Sequence, residues 1–249
     1  TASWDRVVDK LKNSNDYIVT IDLPGFGYSS KQAGMDYSTD FRSELVWQVL
    51  NDLDNKNHGL SAIRWTVIGH SMGGGIAANM NLQNPQLVRE LILVDPAINY
   101  SETKENIFLS LFDNPVTKRY ISLFANYYFF QYSQLKNFLT SAYGQEPTKD
   151  QVDSYLKPLQ EPGTSVAASD IVFGSDQKQI NVKDIKTRTL IIWGEKDTWI
   201  DFKDAKYLDE NIVNSELNVI VNAGHVPHET HSQDVVNQIV DFWGKRNQF

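Results

Sequence analysis

The apolar run Trp65-Thr66-Val67-Ile68 meets Gly69-His70-Ser71-Met72-Gly73 and then a small-residue stretch, Gly74-Gly75-Ile76-Ala77-Ala78. This order predicts a strand, a sharp turn and a helix, with Ser71 at the tip. A turn that tight strains the backbone of its central residue. The positions two away on each side must then be small, and Gly69 and Gly73 meet that need. The Ser71 hydroxyl is left exposed beside a helix N-terminus, whose partial positive charge favours a developing anion. Ser71 is the candidate nucleophile.

The rest of the chain repeats the alternation of strand and helix. Val7, Val8 and Leu11 recur at helical spacing over 5–13. Tyr17-Ile18-Val19-Thr20-Ile21 reads as a buried strand ending in the turn-rich Asp22-Leu23-Pro24-Gly25-Phe26-Gly27. A long amphipathic helix is predicted at 38–55. The helix behind Ser71 runs to Asn84, where Pro85 stops it. Leu91–Val94, Leu190–Trp193 and Leu217–Val221 are further strands, and a last helix covers 232–246. Short apolar strands between helices predict an α/β class, with a mostly parallel sheet covered on both faces.

The alternation stops between 99 and 175. That stretch carries Phe108, Phe112, Tyr120, Phe124, Tyr127 to Phe130, Tyr132, Phe138 and Tyr143. It predicts a helical cap over 99–175 inserted into a core of 1–98 and 176–249. Some rings pack the insertion's own core, and others are candidates for an apolar pocket facing Ser71.

A net charge of −8 disfavours nucleic acid and anionic membrane surfaces as partners, since both need a basic face. With no cysteine, thiolate metal sites and cysteine nucleophiles are excluded. No apolar run approaches the length of a membrane span. The expected partner is a small molecule with an apolar acyl part, and the expected location is cytoplasmic. No metal or organic cofactor is expected.

A serine hydroxyl needs a base in reach, and the base needs an orienting acid. Of the histidines, His70 adjoins Ser71, but neighbouring turn side chains diverge, so it reads as a packing residue. His58 lies in a polar loop. His225 directly follows Asn222-Ala223-Gly224 after the Leu217–Val221 strand, and loops at the carboxyl ends of parallel strands gather active sites. Gly224 is expected to let the backbone turn there. His225 is the candidate base, with His228 as its rival, otherwise read as a loop brace. Asp197 ends Trp193-Gly194-Glu195-Lys196-Asp197 and is the candidate acid, with Asp95 and Glu195 as rivals. The chain order is nucleophile, acid, base.

These pieces resemble the α/β-hydrolase fold superfamily, in its capped serine esterase and C–C hydrolase branch. The matching segments are Asp22 to Ser29, Gly69 to Gly74, Leu93-Val94-Asp95-Pro96, Trp193 to Asp197 and Gly224-His225-Val226-Pro227-His228. The resemblance covers nearly the whole chain. It implies nucleophile, acid and base roles for Ser71, Asp197 and His225, and an oxyanion-hole N–H at Met72. A serine nucleophile speaks against the haloalkane dehalogenase and epoxide hydrolase branches, whose nucleophile is aspartate. Family members carry a strand ending in a His-Gly motif shortly before the segment matching Ser3-Trp4-Asp5-Arg6. That strand lies between those matching Tyr17–Ile21 and Trp65–Ile68, and a backbone N–H just after the motif completes the oxyanion hole. The resemblance therefore implies a further segment ahead of Thr1.

The expected function is hydrolysis of a carboxylic ester or related acyl substrate through an acyl-enzyme. One alternative is C–C hydrolysis of a ring-fission diketone, for which Lys118 and Arg119 are candidate carboxylate contacts. Another is a ligand-binding protein with little turnover.

Overall fold

The computed structural model describes residues 2–12, 17–57, 63–98, 131–173 and 179–245. Among the described residues four strands form one parallel sheet in the order β1-β2-β3-β4: β1 (Trp65–His70), β2 (Val88–Val94), β3 (Thr189–Gly194) and β4 (Ser215–Ile220). The four apolar runs read as strands at 65–68, 91–94, 190–193 and 217–221 lie in these elements. Every residue of β3 is buried, as expected of a strand covered on both faces.

The two-residue period of the strands sorts their side chains between two cores. Leu91, Leu93, Ile191 and Trp193 face one side, with Ala77 and Ala78 of α3 (Met72–Gln83) and Ala205 and Leu208 of α7 (Phe202–Asn211). Ile92, Val94, Leu190 and Ile192 face the other. There they meet Val7 and Leu11 of α1 (Asp5–Leu11) and Val235, Ile239 and Phe242 of α9 (Ser232–Gly244). The helix predicted at 38–55 is α2 (Thr39–Asn57), and its Val46, Trp47 and Leu50 pack on Ile76 and Met80 of α3.

Tyr17–Ile21 departs from expectation. It is extended but joins no ladder among the described residues, and Tyr17 is 61% exposed. Strand formation needs a hydrogen-bonding neighbour, and among the described residues β1 pairs with β2 alone. Val19, Ile21 and Leu23 hold the segment instead by packing against the α2–α3 core.

Three helices occupy the described part of the region read as a cap: α4 (Tyr132–Tyr143), α5 (Lys149–Leu159) and α6 (Thr164–Phe173). Gly144 ends α4 in the left-handed conformation, and Thr148 and Gln151 cap α5 reciprocally. Leu135, Leu139, Ala142, Tyr143 and Val152 form a separate core with Val226, the residue after His225. The remaining aromatic residues, Phe108 to Phe130, lie outside the described residues, as do Lys118, Arg119 and His58. Among the described residues no helix is long and apolar enough to cross a membrane.

Candidate active site

Ser71 sits between β1 and α3 with φ 51° and ψ −124°, a conformation L-residues rarely adopt. Its backbone is over-determined. The N–H donates to Val94 O at 3.1 Å, and the carbonyl accepts from Gly74 N at 2.8 Å and Ala97 N at 2.8 Å. The expected crowding is present at Gly69 and absent at Gly73. A Cβ at Gly69 would lie 2.2 Å from Gly73 O, whereas one at Gly73 would meet nothing within 4 Å. The second tight position is Gly74, where a Cβ would lie 2.5 Å from Pro96 Cβ. The motif read from the chain missed it, because that crowding comes from the loop after β2.

The three candidates are brought together from three strand ends. His225 Nε2 lies 3.0 Å from Ser71 Oγ, and His225 Nδ1 lies 2.8 Å from Asp197 Oδ2. An ionised carboxylate only accepts, so Nδ1–H donates to Asp197 and Nε2 is free to accept from the serine. Both the His225 and Asp197 side chains are buried. Burial by itself raises the Asp197 carboxyl. The His225 ring and the N–H groups of Trp199 and Ile200, at 2.7 and 3.1 Å, outweigh it and hold Asp197 below the usual carboxylate range. The Met72 N–H is at the first turn of α3, and no hydrogen bond to it occurs among the described residues. It is thus available to an oxyanion beside Ser71.

Gly224 plays a different part from the one expected. The left-handed turn after β4 is made by Asn222, with φ 63°. Gly224 is needed because the last turn of α4 presses on it: a Cβ there would lie 2.7 Å from Ala142 O. The loop bearing His225 is therefore packed directly under α4.

His70 and His228 pack against this loop. His70 donates from Nε2 to the His225 carbonyl at 2.7 Å, and its ring touches those of His225 and His228. Burial and the neighbouring His225 push His70 down to about 3, so it stays neutral. His228 is wholly buried, stacks on Trp4 at 4.3 Å and lies 2.7 Å from Ser3 Oγ. It does not reach Ser71. Glu195 accepts from Asn222 N at 2.8 Å on the surface and takes no part in the site.

A feature missed from the sequence is the buried carboxylate of Glu229. It accepts from Ser3 Oγ at 2.6 Å and from the hydroxyls of Tyr143 and Tyr155. Burial and then the Glu229 charge raise both phenols above their ordinary range, so they serve as donors. One carboxylate in α8 (Pro227–Thr230) thus ties α4, α5 and the N-terminal turn to the His225 loop. Glu229→Ala leaves three hydroxyls without their acceptor. It is expected to cost about 3 kcal/mol, read as a lowered denaturant midpoint at unchanged slope. A loss below about 1 kcal/mol would mean that the hydroxyls find other acceptors.

Asp95, Asp197 and His225 each offer a ligand atom within 4.8 Å of one another. Of these atoms, Asp197 Oδ2 and His225 Nδ1 are hydrogen-bonded to each other at 2.8 Å. Around it, Trp199 stacks on the His225 ring at 5.1 Å, and Phe138 of α4 meets Trp199 at 4.8 Å. Both outer rings are exposed, at 41% and 45%, and form an apolar wall beside the imidazole.

The family model described as alpha/beta hydrolase fold matches residues 1–232. The chain is similar to an uncharacterized hydrolase, YugF, of Bacillus subtilis (strain 168), 26% identical over 243 residues, which span 96% of this chain and 84% of that protein. It is also similar to a 2-hydroxy-6-oxononadienedioate/2-hydroxy-6-oxononatrienedioate hydrolase 1 of Pseudomonas putida. That match is 26% identical over 257 residues, covering 97% of this chain and 82% of the relative. Among solved structures, an esterase (EaEST) from Exiguobacterium antarcticum matches with a TM-score of 0.75 at 19% identity. It covers 97% of this chain and 86% of its own, a likeness of fold.

Proposed function

This chain belongs to the alpha/beta hydrolase fold family, and from that premise we propose that it is a serine hydrolase cleaving a carboxylic ester or related acyl substrate. The observation that carries this is the pair of hydrogen bonds linking Ser71 Oγ to His225 at 3.0 Å and His225 to Asp197 at 2.8 Å. Ser71 Oγ attacks the acyl carbon while His225 Nε2 takes its proton. Asp197 keeps Nδ1 protonated and stabilises the imidazolium. The Met72 N–H donates to the oxyanion, a bond worth about 3–4 kcal/mol in the transition state. His225 then returns the proton to the leaving alkoxide as the tetrahedral species collapses. Water, deprotonated by His225, cleaves the acyl-enzyme and restores the serine. Phe138 and Trp199 supply an apolar wall for the substrate.

The second reading is C–C hydrolysis of a ring-fission diketone with the same three side chains. It is favoured by the Pseudomonas putida relative, a hydrolase of that kind by name. A fluorophosphonate probe and a substrate panel separate the readings. We expect the probe to label Ser71 in the wild type, with no label at that site in Ser71→Ala. Short-chain aryl esters should turn over faster than a dienoate-type diketone. Rapid turnover of the diketone alone would replace the ester reading with the C–C one. An unlabelled, folded wild type would favour a ligand-binding role.

A further inference from the structure

Asp95 follows β2 directly, has no exposed surface, and points into the ring of strand ends that holds Asp197 and His225. One carboxyl oxygen, Oδ1, accepts from Gly194 N at 2.8 Å. The other, Oδ2, is buried without a hydrogen-bond partner among the described residues. An ionised carboxylate in that position would keep a full charge out of water with one oxygen unsolvated, and would face a second carboxylate. Each condition alone is costly. Asp197, in contrast, receives donors on both oxygens: His225 Nδ1 on Oδ2, and the N–H groups of Trp199 and Ile200 on Oδ1. Two acids so close compete for one charge, and Asp197 has three donors where Asp95 has one.

We propose that Asp95 carries a proton at neutral pH, as a neutral carboxylic acid with its O–H turned toward Asp197, so that the pair holds a single negative charge behind His225. A proton on Oδ2 removes the buried charge and makes the orphan oxygen a donor. The groups facing Asp95 are the Gly194 N–H at the end of β3, Asp197 from the loop after β3, and His225 from the loop after β4, with His70 of β1 behind the imidazole. Among the described residues no lysine or arginine pairs with Asp95 to offset a charge. Burial, and then the Asp197 carboxylate, raise the Asp95 carboxyl well above its ordinary range, while the Gly194 N–H lowers it only in part. Asp95 is therefore a positioning residue. It acts on the base through Asp197, and its catalytic consequence rests on the proposed Ser71–His225–Asp197 reading.

The test uses Asp95→Asn, since asparagine has the shape of the acid, keeps a donor and tolerates the φ of 39° found here. A group that binds its proton more tightly in the folded chain stabilises the fold in acid. That contribution fades as pH rises above the ordinary carboxylate range. The melting temperature of Asp95→Asn should therefore rise relative to wild type as pH increases. The acid limb of kcat/KM should keep its position. If Asp95 were ionised, the melting difference would not widen with pH. Removing a second negative charge within 4.8 Å of the imidazole would also lower the acid limb by about one unit or more. Either result overturns the proposal. Carboxyl-carbon NMR of aspartate-labelled wild type reads the same state without a variant. One buried aspartate should keep a carboxylic-acid shift at neutral pH, and a full set of carboxylate shifts would refute the assignment. The melting and NMR measurements involve no turnover, so they stand even if Ser71 proves not to be the nucleophile.

Discussion

Ser71→Ala is expected to lower kcat on a short-chain aryl ester by about five to six orders of magnitude, as removal of a triad nucleophile does elsewhere. The variant should still fold. The contacts that define the turn come from the backbone of residue 71: its N–H to Val94 O, and its carbonyl to Gly74 N and Ala97 N. Alanine loses only the hydroxyl, and the penalty of φ 51° with ψ −124°, about 1–3 kcal/mol, is already borne by the serine. A melting temperature close to wild type together with lost turnover is the expected pair of results. A rate within tenfold of wild type would remove Ser71 from the mechanism, and the ester reading with it.

Asp197→Asn is expected to reduce kcat by about four orders of magnitude. The amide still offers Oδ1 to Trp199 N and Ile200 N, so the loop keeps its shape. At Oδ2, however, an N–H₂ replaces the acceptor of the His225 Nδ1–H bond. The imidazole is then driven to the tautomer with its proton on Nε2, which cannot accept from Ser71. The stability effect has a definite sign. Asp197 is held below the usual carboxylate range, so its contribution is present above that range and lost as pH falls through the lowered value. The melting gap between wild type and Asp197→Asn should therefore narrow toward acid. This pH dependence is opposite in sense to the one expected for Asp95→Asn, although the two acids belong to one cluster. A kcat loss of less than about tenfold would show that another group orients the imidazole.

The placement of strands in the sequence was legible where local pattern and tertiary environment agree. The apolar runs in β1 to β4 are short, bounded by turn formers and buried, and each leads into a helix or loop in the order a parallel sheet requires. Tyr17–Ile21 carries the same kind of pattern and forms no ladder, because pattern specifies a preference for extension and not a partner. The helices α4 to α6 fall within a stretch where strands stop and helical spacing begins. Which of their rings face the substrate depends on how they drape over the sheet. Tyr143 is buried against Glu229, whereas Phe138 stands exposed beside Trp199.

Ser71, Asp197 and His225 were each suggested by a local rule: a glycine-flanked turn, and the carboxyl end of a predicted strand. Local sequence therefore determined the strand–turn–helix unit, the candidate side chains and the parallel class. It could do so because strand period, turn strain and helix entry are short-range properties of the backbone. Only the tertiary structure separates Asp197 from Asp95: the His225 ring, from the loop after β4, bonds to Asp197, whereas Gly194 N is the donor to Asp95. It alone moved the second crowded glycine from residue 73 to 74, through Pro96, and gave Gly224 its purpose beneath α4. It alone disclosed the Glu229 tie. Burial, donor supply and steric contact between residues far apart in the chain are set by packing, and no periodicity along the chain records them.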